Sequence, residues 1–176
     1  MIRAAIVGAT GYAGAELVRI LSGHPEVKLT VLTSRQFAGV RFDRVYPAFN
    51  GVFDLVCEAY SQERICDHAD VVFMALPHQL PMGFVPEIIK RGKKVVDLSA
   101  DFRFNDPAIY ESAYQPHTAR ELLASSVYGL SEIYAGLIEK ATLIGNPGCY
   151  PTSVLLPLIP LLKKGLLDPS TLVADS

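Results

Sequence analysis

The chain has 176 residues, enough for one domain with a sizeable core and too few for two comfortable ones. Half of the residues are hydrophobic and 19% are charged, which excludes a disordered chain. A formal net charge of −2, with no lysine or arginine run, gives no sign of a nucleic-acid or anionic-membrane surface.

Ile2 to Val7 is apolar except for Arg3 and ends in glycine, so it reads as a buried parallel strand. Tyr12 to Leu21 carries Leu17, Val18, Ile20 and Leu21 and reads as a helix, stopped by Gly23, His24 and Pro25. Val27 to Leu32 is the second strand, and the three elements form a βαβ unit of about 30 residues. Ser34 to Gly51, rich in Gly, Arg, Asn and Pro, reads as an irregular excursion.

Strands are then expected near Phe53–Glu58, Val71–Ala75 and Lys94–Leu98, separated by helices near Gln62–Asp67 and Pro81–Arg91. The polar stretch from Phe102 to Arg120 is expected to be a long surface loop. A short strand near Val127, a helix near Glu132–Lys140 and a strand near Thr142–Ile144 complete the alternation. Such alternation predicts an α/β, Rossmann-like, doubly wound and mostly parallel sheet with helices on both faces. After Thr152, Pro157 and Pro160 each remove a helical hydrogen bond at about 3 kcal/mol or more, which predicts a kinked or interrupted helix. Leu172 to Ala174 begins to look like one more strand, so the chain is expected to be the front portion of a longer protein.

The run Gly8-Ala9-Thr10-Gly11-Tyr12-Ala13-Gly14 follows the first strand and opens the first helix. Gly8 permits a tight turn, Gly11 a close approach to a pyrophosphate, and Gly14 close packing of helix on strand. The helix start then faces the phosphates. The spacing is G-x-x-G-x-x-G, not the simple G-x-G-x-x-G, and a purely structural glycine turn is the alternative. At the end of the second strand, where NAD-preferring sites place an acidic residue, the chain reads Thr33-Ser34-Arg35-Gln36. Ser34 with Arg35 suits a 2′-phosphate, so NADP(H) is the expected cofactor; otherwise Arg35 is a solvated loop charge. Pro77, just past the strand Val71–Ala75, is expected to wall the nicotinamide side or simply to form a turn. His78 is either a base or an exposed loop histidine.

Cys149 lies in Gly145-Asn-Pro-Gly-Cys-Tyr-Pro-Thr152, between a strand and an apolar helix. The unpaired N–H groups at a helix start favour an anion, and the thiolate is the reactive form of cysteine. A small buried residue is the alternative. Cys57 and Cys66 are expected to be structural. Three cysteines without metal-ligand spacing, and no secretory leader before the first strand, fit a reducing, cytoplasmic compartment and no metal site. The longest apolar stretch, Val154 to Leu162, is nine residues, against the ~20 that span a bilayer.

These eight residues, with Gly8–Gly14, Leu76-Pro77-His78 and Ser99-Ala100-Asp101-Phe102-Arg103, closely resemble the N-acetyl-gamma-glutamyl-phosphate reductase family of arginine biosynthesis. The resemblance runs along essentially the whole chain. Aspartate-semialdehyde dehydrogenase is similar more distantly, with a different cysteine motif. The resemblance implies reductive dephosphorylation of a small acyl phosphate. The Cys149 thiolate attacks the acyl carbon and expels phosphate; hydride from NADPH then turns the thioester into a thiohemiacetal, which collapses to the semialdehyde.

Arg103 and Asn146 are the candidates for holding the substrate phosphate, Arg103 because its planar fork matches that anion. An ion pair of Arg103 with Asp97 or Asp101 is the alternative. The family's catalytic histidine lies in a second domain, and none of His24, His68, His78 or His117 matches it. Residues 1–165 are therefore expected to be the NADP-binding domain, and residues 166–176 the start of a substrate and dimerisation domain of a homo-oligomer. The chain alone is expected to bind NADP(H) and turn over weakly. The alternatives are a carrier-bound aminoadipyl-phosphate reductase of lysine biosynthesis, or a non-catalytic NADP-binding redox module with Cys149 as its switch.

Overall fold

A computed structural model describes residues 1–175. Its elements run β1 (Ile2–Val7), α1 (Tyr12–Ser22), β2 (Val27–Thr33), α2 (Phe42–Val45), β3 (Cys57–Glu58), α3 (Gln62–His68), β4 (Val71–Met74), α4 (Pro81–Lys90) and β5 (Lys94–Asp97). There follow α5 (Pro107–Ala113), α6 (Arg120–Leu123), β6 (Val127–Tyr128), α7 (Ser131–Ile138), β7 (Leu143–Gly145) and α8 (Cys149–Lys163).

The strands form one sheet in the order β3-β2-β1-β4-β5-β7-β6, and every pairing is parallel. Alternation along β1 divides the core. Ala5 and Val7 pack with Ile65, Val85 and Ile88 of α3 and α4, while Ala4 and Ile6 pack with Val18 of α1 and with Phe42. Both faces are thus covered, as near-continuous apolar parallel strands require. The chain leaves β1 toward β2 and β3, then returns to the other side of β1 as β4. That reversal makes the carboxyl ends of β1 and β4 a topological switch point, where ligands of such sheets bind.

Three segments differ from the sequence expectation. Residues 102–120 are a surface loop only in part: many of them are exposed, but Phe102, Tyr110 and Ala119 are fully buried, His117 is nearly so, and α5 lies among them. The buried members are tied in by internal hydrogen bonds, as buried polar groups require. Asn105 Nδ2 donates to the carbonyls of Leu123 and Ser126, and His117 Nε2 donates to the carbonyl of Asp101 at 2.8 Å. α8 continues past Pro157 and Pro160 without interruption. Both prolines are exposed. Finally, a 3-10 turn at Pro169–Thr171 is followed by irregular chain, and residues 172–174 form no strand. The excursion after β2 is irregular only in part: α2 and a 3-10 turn at Pro47–Phe49 lie within it, and Phe42 is fully buried. No helix among the described residues is long and apolar enough to cross a membrane.

At the carboxyl end of β5, the Asp97 carboxylate is fully buried and accepts Ser99 N–H at 3.1 Å and Ser99 O–H at 2.7 Å. Ser99 Oγ in turn accepts Asp101 N–H at 3.0 Å. Burial pushes the Asp97 carboxyl up to about 7, against the pull of the two Ser99 donors. On the neighbouring strand, a Cβ at Gly145 would stand 2.0 Å from the carbonyl oxygen of Phe102, so only glycine permits this approach.

Two outcomes are expected. Gly145→Ala should lower the urea midpoint, at a cost of about 1–3 kcal/mol. Gly83→Ala, in α4 with open space around the added methyl, should be neutral or stabilising by up to about 1 kcal/mol. Equal midpoints for the two variants would contradict the steric account. A carboxyl raised in the fold binds its proton more tightly than in the unfolded chain. The stability that Asp97 contributes is therefore complete below its unfolded value near 3.8 and drains away as pH rises to about 7. Between about pH 4 and pH 7, urea unfolding should shift in favour of Asp97→Asn relative to the parent; a pH-independent difference would count against it.

Candidate active site

Residues at the carboxyl edge of the sheet fall into two groups. The first surrounds the turn from β1 into α1. Gly8 has φ +86°, and a Cβ on it would stand 2.3 Å from the carbonyl oxygen of Ala75; one on Gly14 would stand 2.2 Å from that of Gly8. Gly11 meets nothing closer than 3.6 Å, so its bareness serves the outer side of the loop and not the packing beneath. It caps α1 in an extended conformation, with no side-chain cap and no acidic residue in the first turn. The N–H groups of Tyr12 and Ala13 have no partner among the described residues, and Tyr12 is 98% exposed. An uncapped start of an 11-residue helix behind a bare glycine loop fits the pyrophosphate of a dinucleotide.

β2 supplies the floor of this loop. The carbonyl of Thr33 accepts Ala9 N–H at 2.9 Å, and its hydroxyl accepts Gly8 N–H at 3.3 Å. Thr10 Oγ1 and Ser34 Oγ lie 2.7 Å apart, and Ser34 Oγ also accepts Phe37 N–H at 3.1 Å. Arg35 is exposed beside them. From here a cleft of about 380 Å³ runs between Gly8, Ser34 and Arg35 on one side and Tyr60, Leu76 and Phe84 on the other.

Leu76 belongs to the run that the sequence singles out with Pro77 and His78. Tyr60 and Phe84 escape a reading of motifs, although Tyr60 stands just beyond β3, where ligands of parallel sheets sit. The Tyr60 and Phe84 rings pack at 4.4 Å between centroids. The Tyr60 hydroxyl is buried without a partner among the described residues, and burial pushes it up to about 12. Pro77 is exposed directly after this wall. His78 is exposed too, but its Nδ1 accepts Ala100 N–H at 2.9 Å, so it staples the loop after β4 to the loop after β5.

The second group surrounds the turn from β7 into α8. Gly148 caps the helix in an extended conformation, and Cys149 is its first residue, exposed. The N–H groups of Cys149 and Tyr150 have no partner among the described residues, and Pro151 has no N–H to offer. Cys57 and Cys66 are buried, where burial pushes both thiols up. Arg103 reaches this turn from the loop after β5. Its Nε donates to the carbonyl of Asn146 at 2.7 Å and its Nη2 to that of Leu98 at 3.0 Å. Nη1 makes no hydrogen bond among the described residues and lies 3.2 Å from where a Gly148 Cβ would be. Arg103 thus sits against the start of α8 and forms no ion pair with Asp97 or Asp101. Asn146 N–H donates to the Asp97 carbonyl at 2.8 Å, and its side-chain amide turns back to the Pro147 carbonyl at 3.1 Å.

The two groups share one edge of the sheet, with β4 and β5 between them. The arrangement offers two uncapped helix starts, one beside an apolar cleft and one that begins with exposed Cys149 and has the Arg103 guanidinium close to its Gly148 cap. None of the four imidazoles joins them with both nitrogens free. His24 Nδ1 accepts Glu26 N–H, His68 bonds Arg64 through both nitrogens, and His117 is engaged at Nδ1 and Nε2.

Comparison with known proteins agrees with this geometry. An N-acetyl-gamma-glutamyl-phosphate reductase of Desulforapulum autotrophicum is 53% identical over 176 residues, all of this chain and 51% of the relative. The chain therefore spans about half the length of the curated relatives that it matches. Among solved structures, aspartate semialdehyde dehydrogenase II of Vibrio cholerae, complexed with ASA, superposes with a TM-score of 0.67 at 19% identity, over 93% of this chain and 47% of that one. The Candida albicans aspartate semialdehyde dehydrogenase with NADP gives 0.61 at 19% identity, over 95% of this chain and 48% of that one. At that identity, the two structures speak for the fold alone. Residues 3–141 match the family described as "Semialdehyde dehydrogenase, NAD binding domain". With a parallel dinucleotide-binding sheet and most of its length inside that match, the chain belongs to the semialdehyde dehydrogenase NAD binding domain family.

Proposed function

We propose that this chain is the cofactor and nucleophile part of an NADPH-dependent reductase that converts N-acetyl-gamma-glutamyl phosphate to N-acetyl-glutamate 5-semialdehyde and phosphate. The observation that carries this reading is the Arg103 guanidinium held against the cap of the helix that begins with exposed Cys149. Around them stand the curated relatives' names and an NADP-bearing structure of the same fold.

The Cys149 thiolate attacks the acyl carbon of the substrate. Its bond to the phosphate oxygen breaks, and the phosphate leaves toward Nη1 of Arg103. A thioester on Cys149 remains. The unpaired N–H groups of Cys149 and Tyr150 suit the oxyanion that forms during the attack. When bound, NADPH supplies the reducing equivalent that takes the thioester to the aldehyde level. Gly8, Thr10, Gly11, Tyr12, Ala13 and Gly14 hold its pyrophosphate, Ser34 and Arg35 its 2′-phosphate, and Pro77 walls its nicotinamide side. Asn146 shapes the phosphate end of the substrate site together with Arg103. The product leaves as the Cys149–carbon bond breaks and the thiol is restored.

The proton acceptor is assigned to a histidine of a second domain, as the family resemblance implies; of the imidazoles here, His68 and His117 are engaged at both nitrogens. In this reading residues 1–165 form the NADP-binding domain and residues 166–176 open the substrate and dimerisation domain. It is supported by α8, which is strongly apolar yet has no buried residue, and by Leu166, 65% exposed. A cytoplasmic homo-oligomer that acts on a small acyl phosphate, without nucleic acid or membrane, completes the proposal.

Three outcomes test it. Cys149→Ser should lower phosphate-dependent semialdehyde oxidation by at least ~10³-fold. Its NADP+ affinity by titration calorimetry should stay unchanged. Arg103→Lys, which loses the planar fork, should raise the KM for phosphate by about 10- to 100-fold with a smaller change in the KM for NADP+. NADP+ should bind at least about tenfold tighter than NAD+, since Arg35 and Ser34 replace the acidic residue of NAD sites. Wild-type activity in Cys149→Ser would overturn the nucleophile, and equal dinucleotide affinities would overturn the cofactor preference.

A further inference from the structure

The edge strand β6 carries one residue at the thiol side of the sheet that the chemistry above leaves unused. Tyr128 ends β6 and stands directly across from Gly145 of β7. Residues paired across neighbouring strands point to the same face of a sheet. On that face, a Cβ at Gly145 would strike the backbone of Phe102 and Arg103. The missing side chain lets this segment pass close to β7, and the Tyr128 ring occupies the same face one strand further out. Ser126, just before β6, ties the strand to the same segment: its hydroxyl donates to the Phe102 carbonyl, and its carbonyl accepts Asn105 Nδ2. Arg103 Nε donates to the carbonyl of Asn146, the residue after Gly145, so the guanidinium lies at the corner of the sheet where Tyr128 stands. A Cβ at Gly129 would come within 3.3 Å of Asn146 Cα, which shows how closely the ends of β6 and β7 meet there.

The second observation is the state of the hydroxyl. Tyr128 is half-buried, and its hydroxyl makes no hydrogen bond among the described residues. Burial pushes this phenol up, and the Arg103 guanidinium pulls it back, as a nearby positive charge does. A guanidinium offers donors and no acceptor, so Arg103 gives the phenol hydrogen nowhere to go. Nη1 of Arg103 is without a partner as well, and it lies toward the Gly148 cap. Two neighbouring donors that lack an acceptor are completed by an anion. The strand order places them well for one. Arg103 follows β5 and Tyr128 ends β6, so they approach from the two sides of β7, whose exit carries Cys149.

We propose that Tyr128 is a phosphate-binding residue: its hydroxyl donates to the substrate phosphate that leaves toward Nη1 of Arg103, so that a phenol and a planar fork hold one anion from either side of the cysteine strand. This role rests on the reading of Cys149 and Arg103 given above. It adds a neutral donor to a site otherwise built from one cation and backbone N–H groups.

Tyr128→Phe keeps the ring and removes only the hydroxyl. The readout is the rate at which iodoacetamide alkylates Cys149, followed by mass spectrometry against the concentration of inorganic phosphate at constant ionic strength; it needs no turnover. Phosphate beside the thiol blocks the reagent and disfavours the thiolate, so the rate should fall as the site fills. The phosphate concentration that gives half-protection should rise about 5- to 20-fold in Tyr128→Phe, with NADP+ affinity by titration calorimetry within about twofold of the parent. Tyr134→Phe, at an exposed neighbour on α7, should stay within about twofold of the parent in half-protection. An unchanged half-protection concentration in Tyr128→Phe, or equal rises in the two variants, would overturn the inference. A loss of NADP+ affinity in step with that for phosphate would show a merely structural role and overturn it as well. A parent protein whose Cys149 reacts equally fast with and without phosphate would instead overturn the placing of the phosphate at Arg103, and this inference with it.

Discussion

The carboxylate of Asp101, with none of its surface exposed, accepts N–H from Gln79 at 2.9 and 3.0 Å, N–H from Met82 at 3.3 Å and the Tyr110 hydroxyl at 3.0 Å. These donors belong to three segments that meet nowhere else in the sequence: the exit from β4, the first turn of α4, and α5. Gln79 takes a left-handed φ of +78° to make its contact, a conformation that a non-glycine residue holds only when its surroundings demand it. Removing the carboxylate would leave these donors buried without partners, the costly side of hydrogen-bond energetics. Both halves of the carboxyl edge take their places from this one group. Pro77 and His78 precede Gln79 on the cofactor side, and Arg103 follows Asp101 by two residues on the thiol side.

The two functional turns share a design. Each leaves a parallel strand through glycine, enters a helix by a glycine cap in extended conformation, and lacks a side-chain cap or a first-turn acid. The N–H groups that a cap would satisfy stay available to a ligand anion. They differ in what lies alongside. At α1 a hydroxyl pair and an apolar cleft suit an extended ligand, whereas at α8 a guanidinium clamped by two carbonyls suits a compact one. The polar groups that support both turns are buried and paired, so a small set of hydrogen bonds decides the geometry, not bulk packing.

The alternation of strands and helices was legible because parallel strands buried on both faces must be apolar along their whole length, as Ala4 to Val7 are. The glycine loop and the cysteine turn were legible because each needs particular residues at fixed offsets. Residues 102–120 were not, since sequence pattern registers polarity and not pairing. His117 looks solvent-facing until its partner, the Asp101 carbonyl, is brought to it by the fold; Asn105 is exposed and still ties the carbonyls of Leu123 and Ser126 together. The aromatic wall of the cleft escaped for a related reason: Tyr60 and Phe84 come from different crossovers and acquire meaning only side by side. The excursion after β2 carried a weak signal, with Phe42, Tyr46, Phe49 and Phe53 spaced as on one helical face. Its shortness and its glycines masked it. The prolines of α8 misled because a helix can run on past a residue that gives up its own hydrogen bond, as α8 does to Lys163.

The strand order also says something about how such a chain is made. β1, made before the other strands of this sheet, ends in the middle of it, and β2 to β5 add outward from it on either side. β6 is synthesised next but pairs only with β7, so it has no edge to join until β7 has been made and laid against β5. Cys149 follows β7 directly. During vectorial synthesis the dinucleotide cradle is therefore finished first, and the reactive thiol arrives with the strand that closes the sheet.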